Sequence, residues 1–301
     1  MIHGILNVLK PPGMTSHDVV GYVRRLTGIK RVGHTGTLDP AAVGVLPICV
    51  GLATRLVDYI TDQKKAYRAE ITLGTATDSG DALGEIVSVC NSVSVSQEDI
   101  ETVLSKFLGN ILQVPPMTSA IKINGKKLYE LARQGIEIER PARKVIIYKL
   151  EAVKWDLSSS PPRFLVDIDC SKGTYIRSLC TDIGTTLGCG AYMSFLVRTK
   201  VGSFRLEDAL TLEELQDSAQ TGDLITKLVS MERALVDMPK LELNELQARD
   251  IDNGRTITVI AELNVSDEII QLHFEERLLA IAQVRVQNGA YVVKPIKVFH
   301  R

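Results

Sequence analysis

The spacing of apolar residues predicts several β-strands in the first two thirds of the chain. Ile5–Leu9 is a short apolar run before a turn. Apolar and polar side chains alternate from Ala66 to Gly74, which is typical of a half-buried strand, and Tyr67 begins its apolar face. Two further strand-like runs, Val145–Trp155 and Arg163–Cys170, flank a Ser- and Pro-rich segment. The economical interpretation of these two runs is a β-hairpin.

Helical spacing appears between these strands, with start and stop signals. A capping pattern predicts a helix from Thr15 to Gly28, and a second such pattern predicts one from Ser96 to Gly109. Leu128–Gln134 is a third candidate, ended by Gly135. A fourth helix starts at Thr174, with apolar residues at every third or fourth position until Gly188. Arg177 falls outside that apolar stripe.

The order of the predicted elements indicates the fold class and two domains. The Gly- and Pro-rich stretch Gly33–Gly51 predicts a loop over its first half. Strands and helices mix without regular β-α-β alternation, which favours an α+β fold over a doubly wound parallel sheet. After Val236–Pro239 the pattern changes to short strands with turn signals, including one at Asn288, and even-numbered residues from Leu278 to Val286 form one strand face. We therefore expect a large domain at 1–237 and a small β domain at 238–301.

Composition limits the class of protein. The chain has 301 residues, of which 45% are hydrophobic and 24% charged, so we expect it to fold throughout. It has no apolar run of the roughly 18 residues that a membrane span needs, and no signal-peptide pattern at its start, so we expect a cytoplasmic protein without membrane contact. Its five cysteines include no C-x-x-C pair, which predicts reduced, structural thiols and no zinc site.

The net charge of −1 does not by itself indicate a nucleic-acid binder. Phosphate contacts are local, however, so the distribution of charge matters more than its sum. Basic residues form five groups, each of which is also compatible with an ordinary solvated surface. These groups are Arg24–Arg25, Lys30–Arg31, Lys64–Lys65 with Arg68, Lys126–Lys127, and Arg140 to Lys144.

The residues that are candidates for chemistry are few. The chain lacks G-x-G-x-x-G after a strand, the P-loop motif and H-E-x-x-H, so we expect no nucleotide or metal cofactor. Asp39 precedes a proline, which forces an extended backbone, so both a turn role and a catalytic role are open for it. Taken singly, His34, Tyr67 and Arg177 have ordinary structural interpretations: a hydrogen-bonded histidine, a core aromatic and a surface arginine.

Six motifs in order resemble the bacterial tRNA pseudouridine-55 synthases, over roughly residues 2–205. The second motif contains the loop of Asp39, and the other motifs lie before and after it along the chain. They are Gly4-Ile5-Leu6 to Lys10-Pro11 with Gly13-Met14-Thr15-Ser16; Gly33-His34-Thr35-Gly36-Thr37-Leu38-Asp39-Pro40 with Gly44-Val45-Leu46-Pro47; Lys65-Ala66-Tyr67 with Leu73-Gly74 and Thr77-Asp78; Gln113-Val114-Pro115-Pro116 leading to Tyr129-Glu130-Leu131-Ala132-Arg133; Gly173-Thr174-Tyr175-Ile176-Arg177; and Leu196-Val197-Arg198.

The resemblance implies that the chain isomerises uridine 55 in the T-arm of tRNA to pseudouridine without a cofactor. It implies a mixed, largely antiparallel sheet flanked by helices, with a small C-terminal PUA-like β-barrel that binds RNA. Asp39 would be the nucleophile, with Arg177 paired to it. Tyr67 would stack on the target base, near the proton that leaves ring carbon 5, and Tyr175 and Leu196 would complete the uracil pocket. His34 would take the place of the flipped base.

The resemblance also has limits, and other functions stay open. Where the family often has two adjacent arginines, this chain has Val197-Arg198. Alternatives are a noncatalytic RNA-binding or tRNA-folding protein, a pseudouridine synthase acting on another RNA, including the guide-RNA-dependent type, and a hydrolase using His34 and Asp39. The hydrolase lacks a convincing serine or cysteine nucleophile. We expect a monomer, and whether Asp39 attacks the ring or the ribose stays open.

Overall fold

The structure, a computed structural model, describes residues 2–119, 121–123, 125–132, 134–259, 268–287 and 289–300. Within these ranges it contains eight α-helices and eighteen β-strands. The helices are α1 (Ser16–Thr27), α2 (Val57–Thr61), α3 (Gln97–Lys106), α4 (Leu128–Ala132), α5 (Ile176–Thr186), α6 (Leu212–Thr221), α7 (Met231–Ala234) and α8 (Glu245–Asp252). The strands are β1 (Gly4–Lys10), β2 (Val32–His34), β3 (Val43–Val50), β4 (Lys65–Leu73), β5 (Thr75–Thr77), β6 (Ile86–Val89), β7 (Gly109–Gln113), β8 (Lys122–Ile123), β9 (Lys126–Lys127), β10 (Arg143–Asp156), β11 (Arg163–Cys170), β12 (Ala191–Val201), β13 (Phe204–Arg205), β14 (Lys240–Glu242), β15 (Ile257–Val259), β16 (Ile269–Phe274), β17 (Arg277–Gln287) and β18 (Ala290–Val298).

A nine-stranded sheet forms the centre of the larger part. Its main path is β1-β3-β12-β4-β11-β10-β7, with β2 added to β3 and β13 to β12. Every pair in it is antiparallel except β12 with β3. The predicted hairpin is the β10–β11 pair. The mixed, largely antiparallel sheet and the α+β class are thus confirmed, and β12 joins the strand that follows the Asp39 loop to the strand that carries Tyr67.

The C-terminal part is a second sheet of five strands in the order β14-β16-β17-β18-β15. Here two expectations are wrong in detail. Helix α8 was not predicted, although Asn244 and Gln247 form a capping box at its start. Strand β17 is buried on both faces from Leu278 to Ala282, because this part of the strand lies between two hydrophobic clusters. Val286, by contrast, is exposed. The predicted turn at Asn288 lies outside the described residues.

Local signals place the helices that flank the central sheet. The Thr15–Asp18 capping box begins α1 and Gly28 ends it in the left-handed conformation, as predicted. The Ser96–Asp99 box begins α3, but that helix ends at Lys106 and Gly109 already belongs to β7. Helices α3 and α5 cover one face of the sheet through a buried cluster. No helix among the described residues is long and apolar enough to span a membrane.

The two sheets share a hydrophobic cluster. Ile5 and Val45 of the central sheet contribute to it from one side, and Leu278, Ile281 and Phe299 contribute from the other. All five side chains are at most 1% exposed. Burial of this kind contributes about 25 cal/mol per Å² of apolar area, so the C-terminal sheet is anchored by the same effect that stabilises the larger part.

Candidate active site

Asp39 lies in the loop between β2 and β3, and short-range contacts fix that loop. The Leu38 amide donates a hydrogen bond of 2.9 Å to the Ser16 hydroxyl oxygen at the start of α1. The Pro40 carbonyl accepts hydrogen bonds from the Lys10 ammonium at 3.1 Å and from the Gly13 amide at 2.8 Å. Because the residues on both sides of Asp39 are held, its carboxylate projects from a fixed backbone.

Arg177, the second residue of α5, lies beside Asp39. Its Nε is 3.1 Å from Asp39 Oδ2, and its Nη1 is 3.4 Å from Asp81 Oδ2. The guanidinium also donates to the carbonyls of Ser79 and Thr118, each at 3.4 Å, and to the Thr118 hydroxyl. The interpretation of Arg177 as a surface arginine is therefore wrong: the residue is 6% exposed, because the segments around Ser79 and Thr118 pack over that side of α5.

The charges around Asp39 act in opposite directions. Burial raises the pKa of the Asp39 carboxyl above its ordinary value, the Arg177 guanidinium lowers it, and the nearby Asp81 carboxylate raises it again. The Asp39 side chain keeps 36% of its surface exposed, whereas Arg177 keeps 7% and Asp81 keeps 16%. Arg177 thus opposes the tendency of a half-buried carboxylate to take up a proton.

Tyr67 and Leu196 lie on neighbouring strands behind the loop. They are buried in one hydrophobic cluster with Leu38. Burial raises the pKa of the Tyr67 phenol, so the hydroxyl keeps its proton at neutral pH. Tyr175 precedes α5 and is half-buried, and its main chain exchanges hydrogen bonds of 3.0 and 3.3 Å with the Gln113 amide side chain. The structure therefore places these side chains on elements that converge near Asp39.

His34 ends β2, just before the loop. Its Nδ1 accepts a hydrogen bond of 3.3 Å from the Gly36 amide, so the ring is neutral with its proton on Nε2. Burial lowers the pKa of His34, and His17 and Arg198 lower it further. The His17 ring lies edge-on to His34, with centroids 5.8 Å apart and an angle of 79° between the planes. His34 is thus held as a neutral ring at the edge of the site.

Several residues that contact the site were given no role there by the sequence. Asp81 is the second carboxylate on Arg177, in a loop with no recognised motif. Lys10 is fully buried and donates to three carbonyls, and burial lowers the pKa of its ammonium to about 8. Arg198 is 1% exposed and therefore offers no surface for RNA. Lys10 and Arg198 belong to the first and the sixth motif, but the sequence assigned them none of these contacts, and Asp81 belongs to no motif.

The structure separates the five basic groups. Lys65 is buried against main-chain carbonyls, and Arg68 is paired with Asp167 at 2.7 Å. By contrast, Arg25, Lys30 and Arg31 are exposed and have no acidic partner among the described residues. Arg133, which closes the fourth motif, lies outside the described ranges.

The described residues contain no group of three or more His, Cys, Asp or Glu side chains arranged as metal ligands. The site geometry is instead that of two carboxylates, Asp39 and Asp81, on one buried arginine, with a tyrosine and a neutral histidine nearby. Such an arrangement suits nucleophilic attack by an ionised carboxylate, since the guanidinium keeps the negative charge in place.

Comparison with known proteins places this site in a family. The family model for "TruB family pseudouridylate synthase (N terminal domain)" matches residues 24–176, and that for "tRNA pseudouridylate synthase B C-terminal domain" matches residues 177–236. A tRNA pseudouridine synthase B from Pelotomaculum thermopropionicum is 47% identical over 94% of this chain and 91% of the relative. One from Geobacillus thermodenitrificans is 46% identical over 98% of this chain and 99% of the relative.

Solved structures agree with the sequence comparison. A crystal structure of a Cbf5-Nop10-Gar1 complex matches with a TM-score of 0.79 and 27% identity, covering 99% of this chain and 85% of the other. A structure of an H/ACA RNP bound to a substrate RNA containing 2'-deoxyuridine matches with a TM-score of 0.77 and 25% identity, covering 99% and 85% of the two chains. From its sequence and its fold, the chain belongs to the TruB family of pseudouridylate synthases.

Proposed function

We propose that this pseudouridylate synthase acts on tRNA, at uridine 55 of the T-arm, with Asp39 as its nucleophile. The observation that supports the mechanism is the 3.1 Å pair between Asp39 and the buried Arg177. The reaction breaks the bond between the ribose and ring nitrogen 1 and forms a bond between the ribose and ring carbon 5. Carbon 5 loses a proton and nitrogen 1 gains one, so neither a redox cofactor nor an added group is needed.

Arg177 keeps Asp39 ionised and oriented. A carboxylate has an ordinary pKa of about 3.9 and is charged at neutral pH, but burial at this site favours the protonated form. The guanidinium opposes that effect through two contacts to Asp39, Nε to Oδ2 at 3.1 Å and Nη2 to Oδ1 at 3.5 Å. Because Thr118 and Asp81 hold the same guanidinium, Arg177 cannot follow the substrate, and its role is to orient the nucleophile.

The uracil ring binds between the side chains that surround Asp39. Tyr67 stacks on the base, and Tyr175 and Leu196 form the other walls. Base stacking on an aromatic ring contributes about 1–3 kcal/mol, enough to matter for a base removed from its helix. His34 fills the place that the base leaves. The neutral state of His34 supports this role, because an uncharged ring stacks in a helix without adding a charge to be desolvated.

The RNA is held outside the pocket by its shape and its backbone. We propose a catalytic domain at 1–237 and a PUA-like RNA-binding domain at 238–301, which contains the five-stranded sheet. The exposed Arg25, Lys30 and Arg31 form the basic surface nearest in sequence to His34 and contact phosphates of the T-arm. The protein acts as a monomer in the cytoplasm, and its five free cysteines, Cys49, Cys90, Cys170, Cys180 and Cys189, suit a reducing compartment.

The experiment is to incubate the protein with unmodified tRNA transcript and to map pseudouridine. The expected product is one modified T-arm uridine. Asp39→Asn removes the charge at nearly constant volume, so we expect the rate to fall by at least about a thousandfold, with tRNA affinity within a few-fold of the parent. Asp167→Asn is the matched control, since Asp167 is also paired with an arginine, but in a more exposed pair in which Arg68 is 50% and Asp167 27% accessible.

The outcomes separate the proposal from its rivals. A wild-type protein that binds tRNA without forming pseudouridine is a noncatalytic binding or folding protein. Activity only on another RNA would change the assigned substrate and leave the proposed mechanism as it is. Full activity of Asp39→Asn, with the control equally active, contradicts the assignment of the nucleophile.

A further inference from the structure

A second buried guanidinium, Arg198, lies beneath the loop that carries Asp39. It belongs to β12, where its register partners are Tyr67 in β4 and Gly44 in β3. It is 1% exposed, and among the fully buried side chains it is the largest by volume. The residue therefore connects the strand of the proposed stacking tyrosine with the strand that follows the catalytic loop.

Most of the donors of Arg198 are directed at main-chain carbonyls. Its Nε donates to Val45 at 2.7 Å, Nη2 to Gly36 at 3.1 Å, and Nη1 to Thr37 at 3.4 Å. In the described ranges no carboxylate lies within ion-pair distance of the guanidinium, so its charge is balanced by dipoles alone. Burying a cation without a counter-ion is costly, and a long apolar side chain would fill the same space without that cost.

The guanidinium also acts on Tyr67, its register partner in β4, because its positive charge lowers the pKa of the Tyr67 phenol against the effect of burial. An arginine can only donate hydrogen bonds, so in a hydrogen bond between these two side chains the phenol oxygen of Tyr67 is the acceptor. In such a bond the O–H hydrogen of Tyr67 points to a different acceptor. The Asp39 carboxylate also raises the pKa of the phenol, and Tyr67 packs in one buried cluster with Leu38, the neighbour of Asp39.

We propose that Arg198 is a positioning residue of the reaction. In this proposal it donates a hydrogen bond to the Tyr67 hydroxyl, which fixes that hydroxyl as a donor toward the bound base, and it holds the Gly36–Thr37 main chain that leads to Asp39. The inference rests on the proposed function, because it assumes that Tyr67 contacts the base. Two other roles make different predictions: a purely structural arginine changes stability alone, and an RNA contact changes affinity alone.

A double-mutant cycle distinguishes these roles. Arg198→Lys keeps the positive charge and removes the fork of donors, and Tyr67→Phe keeps the ring and removes the acceptor. The rate of a single turnover and the Kd for tRNA are measured for the parent, each variant and the pair. We expect Arg198→Lys to lower the rate about 30-fold in the parent but only about threefold in Tyr67→Phe, with Kd changed less than about threefold.

Arg68→Lys is the matched control, since Arg68 follows Tyr67 in β4 but is exposed. Its effect should be small and additive with Tyr67→Phe. Additive effects of Arg198→Lys and Tyr67→Phe on the rate would overturn the proposal, as would a loss confined to Kd. An inactive parent protein would instead refute the proposed function, and the same cycle on thermal stability would still test the contact.

A spectroscopic measurement covers the case in which Arg198→Lys does not fold. In protein labelled with nitrogen-15 arginine, the Arg198 guanidinium is identified by its nuclear Overhauser contacts to the Tyr67 ring. We expect its signals to shift in Tyr67→Phe, because one donor loses its acceptor. Signals that do not change, or the absence of those contacts in the parent protein, contradict the proposed hydrogen bond.

Discussion

Arg177→Met tests whether the guanidinium keeps Asp39 in its reactive form. Two unit charges 3.1 Å apart attract by about 5 kcal/mol at an effective dielectric constant near 20. Desolvation of the arginine and the 36% exposure of the Asp39 side chain offset part of this attraction. We expect about 2 kcal/mol to remain, between the values for exposed and fully buried pairs. This corresponds to a turnover about 30-fold lower.

The pH dependence gives the sign of the effect. Burial already raises the pKa of Asp39, and Arg177 lowers it. Without the guanidinium the pKa rises further, so the carboxylate is lost at a higher pH as the solution is acidified. We therefore expect the acidic limb of the rate profile to move to higher pH in Arg177→Met. Because alkaline solution restores the carboxylate, part of the lost activity should return there.

The assay is a single-turnover measurement on tRNA transcript across pH, with tRNA affinity measured in parallel. The matched control is Arg68→Met, which removes an exposed arginine, 50% accessible, from its pair with Asp167. That control should lose less than about 1 kcal/mol of stability and keep its turnover. Unchanged turnover of Arg177→Met with weaker tRNA binding would refute the reasoning, and so would an acidic limb that does not move.

Two further predictions concern packing and docking. Gly44→Ala places a Cβ 2.8 Å from the main-chain nitrogen of Arg198, at φ +113°, so we expect a loss of about 3 kcal/mol of stability, measured by chemical denaturation. Gly188 also has a positive φ but open space around it, so Gly188→Ala should lose only about 1 kcal/mol. Equal losses in the two variants would rule out the overlap at Gly44. The double variant Lys30→Gln with Arg31→Gln should weaken tRNA binding and lower its salt slope by about 1 per lost contact. Arg163→Gln is the control, and an unchanged slope would exclude that surface.

The elements that the sequence predicts correctly are those specified by neighbouring residues. The capping box of Thr15 and Asp18 involves positions three apart, and the alternation in β4 is a property of the strand itself. Helix α8 was missed because the short strand-like segments after Pro239 predicted β structure throughout, although Asn244 and Gln247 form a local capping signal. Local rules were thus adequate for element type, and the error arose where two local signals competed.

The geometry of the site depends on contacts between distant residues. The apolar stripe of α5 identifies the side that packs on the sheet, but it carries no information on what covers the opposite side. That side faces Ser79 and Thr118, 98 and 59 positions away, and Asp39, 138 positions away. Periodicity therefore predicted an exposed Arg177. The resemblance to a family predicted the pair with Asp39, because family motifs contain information on contacts between distant residues, which helical spacing does not.

The buried cations explain how a nearly neutral chain supports an anionic nucleophile. Lys10, Arg177 and Arg198 are at most 6% exposed and all bind the loop of Asp39 or Asp39 itself. Lys10 and Arg198 neutralise no carboxylate within ion-pair distance in the described residues; they bind carbonyl groups instead. Their positive potential thus remains available to the interior of the site, while the net charge of the chain stays at −1. The positive charges that act on Asp39 are buried under its loop, so the net charge of the chain could not reveal them.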